Sequence, residues 1–589
     1  LAISESPRRV AAPREIAPAR TVAWPLGRIA RFAIAAMLAL AFLSQGITAP
    51  FEKDEESRPA GLTRDVVQHG DWLVPRDDYG EASRKPPLFY WLSAIGTEAT
   101  GGVVDEARAR AVSLIAAVAI ATEVMAFSAA SMGESAGWLA LMFLLGIYGF
   151  SSRAGHGRTD MLFTALLFSA WYLLYAQLEN PPSGGRIGVR TLSIGLILGL
   201  AVLTKGPLAL VLCGLAVAIY LTLERRNPIP LLGAAWLWQV LGLALGIAAL
   251  WYVPAFLRDR GLLSVQFGEE NFGHLLPAKW GGTGEAARPV YYIVARMFGA
   301  ALPLSLYVPA LVFALPDGPI WGDARKPVVY QLSIVLAVTA MFSVASAKRD
   351  IYILPALPSF AILFSGLFTI APRMGARARA FWIAAGAIIA VAATVLIVAM
   401  LLVGRAGAIP ERLTRGMQSS DAAYAALVAD GIVNWRWRFV VFIAASVIAA
   451  IAIPLGLTAR NAPRVALGVA LMSLAGVSLW IGTLRPELVG GRTLKDFAAE
   501  VGGIVKQQPL CDIGGVDYEL SFYLNRGVPV CRPTGTQSSA DRPSYIVASS
   551  DDLDRMAPRE RADLKTLVRS RCPLRRRQMM LLETGAARP

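Results

Sequence analysis

Long apolar runs alternate with short charge-rich stretches over most of the chain. A run of about 18 or more apolar residues can cross the hydrocarbon core of a bilayer as a helix. Runs of that character, a few of them shorter, lie near 32–50, 107–131, 135–152, 159–177, 191–204, 207–223, 231–257, 297–316, 327–345, 351–370, 381–403, 438–458 and 464–484. The pattern predicts a polytopic all-α membrane domain of about thirteen transmembrane helices over 32–484. The 191–204 run is short and ends at Thr204-Lys205-Gly206-Pro207, so one of its ends belongs in the headgroup zone. The run from 32 to 47 follows a basic segment, but no A-x-A site comes after it. It reads as a retained first helix rather than a removed signal.

Arg and Lys in the short loops set an orientation. The basic segment 1–31 carries Arg8, Arg9, Arg14, Arg20, Arg28 and Arg31, and it is placed in the cytoplasm. Alternate loops then also face inward. They hold Glu224-Arg225-Arg226, Asp323-Ala324-Arg325-Lys326, Arg373 with Arg377 and Arg379, and Arg460 with Arg464. An odd number of spans leaves the tail 485–589 outside, with the longer polar stretches 51–106, 258–296 and 404–437. The expectation is a multi-pass inner-membrane protein working on its periplasmic side. Within the first outer loop, 58–69 and 86–99 read as short interfacial helices, with Trp72, Tyr90 and Trp91 in the aromatic belt.

The tail reads differently. Thr493 to Gln507 is helical behind a Thr cap, Leu510 to Gly514 a strand, Tyr518 to Leu524 a helix and Val528 to Cys531 a strand. Ser544 to Ala548 follows as a strand, Asp551 to Val568 as a helix, and Gln578 to Leu582 ends the pattern. This alternation predicts a small extracytoplasmic α/β domain.

Composition sharpens the picture. The chain is 55% hydrophobic and 17% charged, where soluble proteins carry about a quarter charged residues. The net charge of +15 would suggest nucleic acid in a soluble chain. Here the basic residues cluster at the ends of apolar runs, and no zinc-finger or RNA-binding signature occurs, so nucleic acid is not an expected partner. Four cysteines and no CxxC give neither a disulfide-dense scaffold nor a metal motif. Cys511 and Cys531 flank one strand–helix–strand unit; a bridge in an oxidising compartment and two buried thiols are both open.

The spans carry almost no ionisable residues at their centres, which argues against a proton-coupled pump. The charged constellations sit at outer helix ends. Lys53-Asp54-Glu55-Glu56 follows the first run and alone reads as a solvated loop. Arg84-Lys85-Pro86-Pro87 holds cations on a rigid corner, suited to a lipid phosphate or to a simple membrane anchor. Arg153 to Asp160 is a tight outer loop whose acid sits where a helix N-terminus favours one. Ser346 to Pro355 brings Lys348, Arg349 and Tyr352 to the membrane surface.

Together and in this order, these motifs resemble the GT-C membrane glycosyltransferases. The closest likeness is to the lipid A aminoarabinose transferases within the protein O-mannosyltransferase-like superfamily. The likeness runs through Asp54-Glu55, Gly70-Asp71-Trp72-Leu73-Val74-Pro75, Lys85 to Leu92, Thr159-Asp160-Met161, Leu203 to Pro207 and Lys348 to Pro355. It covers about 30–370 and implies a GT-C fold. It also implies roles: Asp54, with Glu55 beside it, as catalytic base or acceptor-positioning group, and Asp160 as the second outer acid. Lys85 and Tyr352 fall near the donor phosphate, with Lys348 and Arg349 as helpers. The family pattern has Glu before Lys-Pro-Pro and a His in the long outer loop. This chain has Arg84 and, in Glu269-Glu270-Asn271-Phe272, Asn271, with His274 nearby. Losing a carboxylate and an imidazole removes a metal site, so no metal is expected.

The implied reaction moves a sugar, aminoarabinose-like or other, from a polyprenyl-phosphate carrier to a lipid A-type, other lipid or glycan acceptor. The expected partners are that donor, the acceptor and the membrane, with the protein as a monomer and no cofactor. Charge growing on the leaving phosphate must be neutralised, and a hydroxyl acceptor must lose a proton. A transporter or flippase of lipid-linked sugars would instead need a midplane path, and no repeat supports one. A non-catalytic envelope assembly subunit would not explain the ordered charged set.

Overall fold

The computed structural model describes residues 27–584 except 52–53, 183–186, 274–287, 410–414, 416, 418, 435, 532–542, 557–560, 563 and 573–576. Most of the basic segment 1–31 and His274 thus lie outside the described residues. The chain is a multi-pass membrane protein. Among the described residues, eight helices are long and apolar enough to cross a membrane, or ten if each of two bent pairs is one span. The other apolar runs form shorter helices, including Arg28–Leu43, Val189–Lys205 and Leu208–Leu223.

The two broken spans have local causes. Glu134–Gly146 and Tyr148–Ala154 meet at 71°, with Ile147 extended between them. Gly146 packs so closely there that a Cβ would stand 2.8 Å from that of Ser473. Tyr292–Ala300 and Leu304–Ala314 meet at 113°. Pro303 lacks the N–H that would continue the first helix and disfavours helical backbone at Leu302. Small residues also draw spans together: added Cβ atoms at Gly195 and Gly199 would lie 2.8 Å from Leu243 and Ile247 side chains. Such a small-x-x-x-small stripe lets helix backbones approach in lipid. The span Glu106–Met132 carries one acid inside it, Glu123, which accepts a 2.6 Å hydrogen bond from Ser169. It is an exception to the otherwise charge-poor spans.

The first outer loop folds into helices Asp54–His69 and Leu88–Glu98, close to the expected 58–69 and 86–99. Tyr90, read as a belt residue, is 3% exposed and belongs to the core. The C-terminal unit is a four-stranded sheet, β1 (Leu510–Asp512), β2 (Tyr545–Ser549), β3 (Leu564–Arg569) and β4 (Met579–Thr584), in the order β1-β2-β4-β3. β1 runs parallel to β2, and β4 antiparallel to both β2 and β3. Two expectations need correction. Asp551 to Val568 is not one helix: helix ends at Arg555 and Leu564–Arg569 pairs with β4. Val528 to Cys531 contributes only an isolated bridge, Val530 to Asp512. Cys511 and Cys531 form a disulfide.

This domain docks onto the first outer loop. Arg64 donates to the Phe522 carbonyl at 2.8 Å and to Asn525 Oδ1 at 2.9 Å, and pairs with Asp78 at 2.6 Å. The Tyr79 hydroxyl shares a 2.7 Å hydrogen bond with Ser521, and Phe51 meets Phe522 edge-on at 5.0 Å. Lys495 and Tyr523 both reach Glu106, at 2.6 and 3.0 Å. The helix Tyr518–Leu524 therefore fixes the loop that carries Asp54 and Lys85.

Candidate active site

The start of Thr159–Glu179 and the end of Val189–Lys205 converge at one cavity. The segment before Thr159–Glu179 is held by Glu56, whose Oε1 accepts from the Gly157 N–H at 3.0 Å. Glu56 is 1% exposed and accepts from Nε and Nη2 of Arg110, each at 2.8 Å. Burial pushes its carboxyl up, but the hydrogen bond and charge of Arg110 outweigh this and hold it well below the usual carboxylate range. Asp160 follows in the first helical turn, 4% exposed. Val189–Lys205 ends where Gly206 takes φ +77°, a conformation open to glycine. That stop places the Lys205 ammonium at a helix C-terminus, as Asp160 stands at an N-terminus; both match the helix dipoles.

Lys205 Nζ lies 2.5 Å from Asp160 Oδ1, and Arg158 Nε 3.2 Å from Asp160 Oδ2. Arg158 also pairs with Glu55. Burial works against the Arg158 charge, but Asp160 and Glu55 raise its pKa above the ordinary value. Lys205 also stands 5.6 Å from the Tyr352 ring centre, and Tyr352 stacks on Phe342 with centroids 4.6 Å apart.

These groups line one cavity with Arg84, Lys85, Arg349 and Gln266, walled on the apolar side by Leu208, Met341, Phe342 and Ile351. Five cations thus face one carboxylate. Ser83 shapes the Lys85 corner, accepting from the Lys85 N–H at 3.2 Å and donating to its carbonyl at 2.8 Å.

The structure brings together four of the expected residues: Lys85, Asp160, Arg349 and Tyr352. Glu55 joins through Arg158, with its side chain largely exposed. Asp54 is exposed in the first turn of Asp54–His69 and does not line the cavity. Lys348 is turned away: its ammonium donates to the carbonyls of Arg288 and Ala345 at 3.0 and 2.6 Å. The sequence alone assigns no role to Arg158, Gln266, Lys205 or Glu56. For Lys205 the signal was present, a cation at the end of an apolar run just before Gly-Pro. Glu56 gave none, because its partners Arg110 and Arg485 are far along the chain. Among the described residues no three His, Cys, Asp or Glu side chains gather as metal ligands; the Asn271 side chain and His274 lie outside them.

A family model described as dolichyl-phosphate-mannose-protein mannosyltransferase matches residues 84–252, the stretch holding Lys85, Asp160 and Lys205. The structure of ArnT from Cupriavidus metallidurans in the apo state superposes with a TM-score of 0.73 at 19% identity. That match covers 95% of this chain and 99% of the other. The chain has the GT-C glycosyltransferase fold. The same Cupriavidus protein bound to undecaprenyl phosphate gives a TM-score of 0.70 over the same shares. Among relatives of the chain is the undecaprenyl phosphate-alpha-4-amino-4-deoxy-L-arabinose arabinosyl transferase 1 of Pseudomonas fluorescens. It is 25% identical over 402 residues, 67% of this chain and 66% of that protein. The Aeromonas salmonicida transferase of the same kind is 26% identical over 350 residues, 57% of this chain and 60% of that protein. The match thus spans less than two thirds of these relatives' own length, and the resemblance drawn from the motifs stands.

Proposed function

We propose that the protein is a glycosyltransferase that moves a sugar from a polyprenyl-phosphate carrier to an envelope acceptor of the lipid A type. The observation that carries this reading is the cavity itself: five cations and one carboxylate against an apolar wall, at the end of membrane-spanning helices. Such a site suits a phosphate head whose chain stays in lipid. The names of the relatives point the same way, since each is a transferase using an undecaprenyl-phosphate sugar.

In this reading Lys85, Arg349 and Arg84 stabilise the leaving phosphate, and Gln266 and Tyr352 shape its seat. The acceptor oxygen bonds to the anomeric carbon as the carbon–oxygen bond to phosphate breaks. The bonding pair leaves with the polyprenyl phosphate, and the anomeric centre inverts. With both oxygens held by cations, Asp160 is a poor base; it orients Lys205 and Arg158. Asp54, exposed one residue from the Glu55–Arg158 pair, accepts the proton of a hydroxyl acceptor or positions a phosphate one. The donor carries its own leaving group, so no cofactor is required. Basic short loops and the Cys511–Cys531 disulfide support an N-terminus in the cytoplasm and a tail in the periplasm. The test is purified protein with a polyprenyl-phosphate aminosugar and a lipid A acceptor, followed by mass spectrometry of the lipid. No mass gain with any such donor refutes the reading.

A further inference from the structure

A second cavity abuts the first across the helical turn Asp350–Ala356. The turn is of the tight three-residue kind, in which side chains three apart share a face. Arg349 and Tyr352 line the first cavity, while Asp350 and Ile353 line the second; Ile351 touches both. In the second cavity Arg153 and Arg296 converge on one oxygen of Asp350, at 2.7 and 3.3 Å. Two cations on one acid leave an excess positive charge. The cavity opens between the two broken spans, where Gly149 and Ala300 come into contact and Gly299 lines the wall. Apolar residues beside it, Val294, Phe298 and Leu302, are 53%, 40% and 46% exposed, an outward face suited to lipid tails.

We propose that this second cavity holds the phosphate head of the lipid that receives the sugar. The inference rests on the transferase reading above. The excess charge selects an anion and the exposed apolar face an amphiphile. Continuity through Ile351 sets that anion beside the donor phosphate without sharing its cations. A lipid acceptor needs this arrangement, since two phosphates on one set of cations would exclude each other.

The test is native mass spectrometry of the full chain in micelles. The probes are lipid A, its dephosphorylated form and undecaprenyl phosphate. Wild type should prefer phosphorylated over dephosphorylated lipid by about tenfold or more, since charge-assisted hydrogen bonds to phosphate are the strong ones. The Arg153→Gln/Arg296→Gln variant should lose that preference while undecaprenyl phosphate binding stays within about twofold. A second variant, Gly299→Trp, fills the cavity without touching its charges; an added Cβ there meets nothing within 4 Å. It should block the phosphorylated lipid alone. A preference that survives in both variants, or is absent from wild type, overturns the proposal. So does parallel loss of undecaprenyl phosphate, which would make the two cavities one site. Phosphate-selective binding in a protein that transfers no sugar would sink the transferase reading and leave the second site standing.

Discussion

Asp160→Asn isolates the ion cluster at the centre of the proposed site. The Asp160 side chain is 5% exposed, and those of its partners Lys205 and Arg158 are 14% and 13% exposed. Screening by water is weak at such positions, so this is no surface pair. Removing one member of a buried pair leaves the other charge uncompensated and typically destabilises by about 3–5 kcal/mol. Asparagine keeps one acceptor oxygen but no charge, and Lys205 and Arg158 then repel each other. A loss near the lower end of that range, about 3 kcal/mol, is expected in denaturant unfolding in mixed micelles. The deciding assay is a double-mutant cycle. Asp160→Asn/Lys205→Met removes both charges and should be more stable than Asp160→Asn alone, with a coupling of about 1–3 kcal/mol. Sugar transfer should fall about a hundredfold or more in both, because Lys205 and Arg158 lose their fixed positions. Undecaprenyl phosphate binding should not weaken in Asp160→Asn, since the cavity gains positive charge. Additive single effects, or wild-type turnover in Asp160→Asn, would refute the clamp.

Three further outcomes test neighbouring parts of the site. Asp54→Asn should cut transfer by about a hundredfold or more with undecaprenyl phosphate binding intact, whereas Lys85→Ala should weaken both; direct binding and single-turnover rates separate the two, and near-normal transfer by Asp54→Asn removes it from the mechanism. Glu56 has a depressed folded pKa, so its stabilisation is full above the unfolded carboxylate pKa and is lost progressively as pH falls from there through the lower folded value. The stability difference between Glu56→Gln and wild type should therefore be flat from about pH 5 to about pH 8, and a difference vanishing at pH 5 contradicts the assignment. A reporter fused after residue 485 should register as periplasmic, and Cys511 and Cys531 should resist thiol labelling until reduced; a cytoplasmic signal places the site on the wrong side.

Much of the fold was legible because lipid leaves few choices. A spanning segment must satisfy its backbone internally, so apolar run length gives a helix directly, as at Glu106–Met132 and Ala376–Ala406. The broken spans were not legible: a run of apolar residues looks the same whether Ile147 is helical or extended. The tail misled at Asp551 to Val568 for a different reason. Leu564–Arg569 gains its strand from pairing with β4, a contact that local propensity does not contain.

The site divides along the same line. Lys85 and Tyr352 could be read because a rigid Pro-Pro corner and a surface turn fix them locally. Lys348 and Arg349 are sequence neighbours with the same charge, yet one lines the cavity and the other satisfies two carbonyls. Extended backbone at Arg349, just before the turn, separates them, since successive side chains of an extended segment point to opposite sides. Arg349 and Tyr352 line one cavity and Asp350 and Ile353 the other, with Ile351 touching both; within the turn the three-residue period keeps Asp350 and Ile353 on one face. One short segment thereby partitions charge between two adjacent cavities. That partition suits a transferase that moves a sugar from one anionic lipid to another, because each head must be neutralised separately while the acceptor oxygen meets the anomeric carbon. A register change in this turn, such as one residue inserted after Arg349, should therefore abolish transfer even though every charged side chain remains in the chain, and retained transfer by that insertion would show that the turn does not divide the two sites.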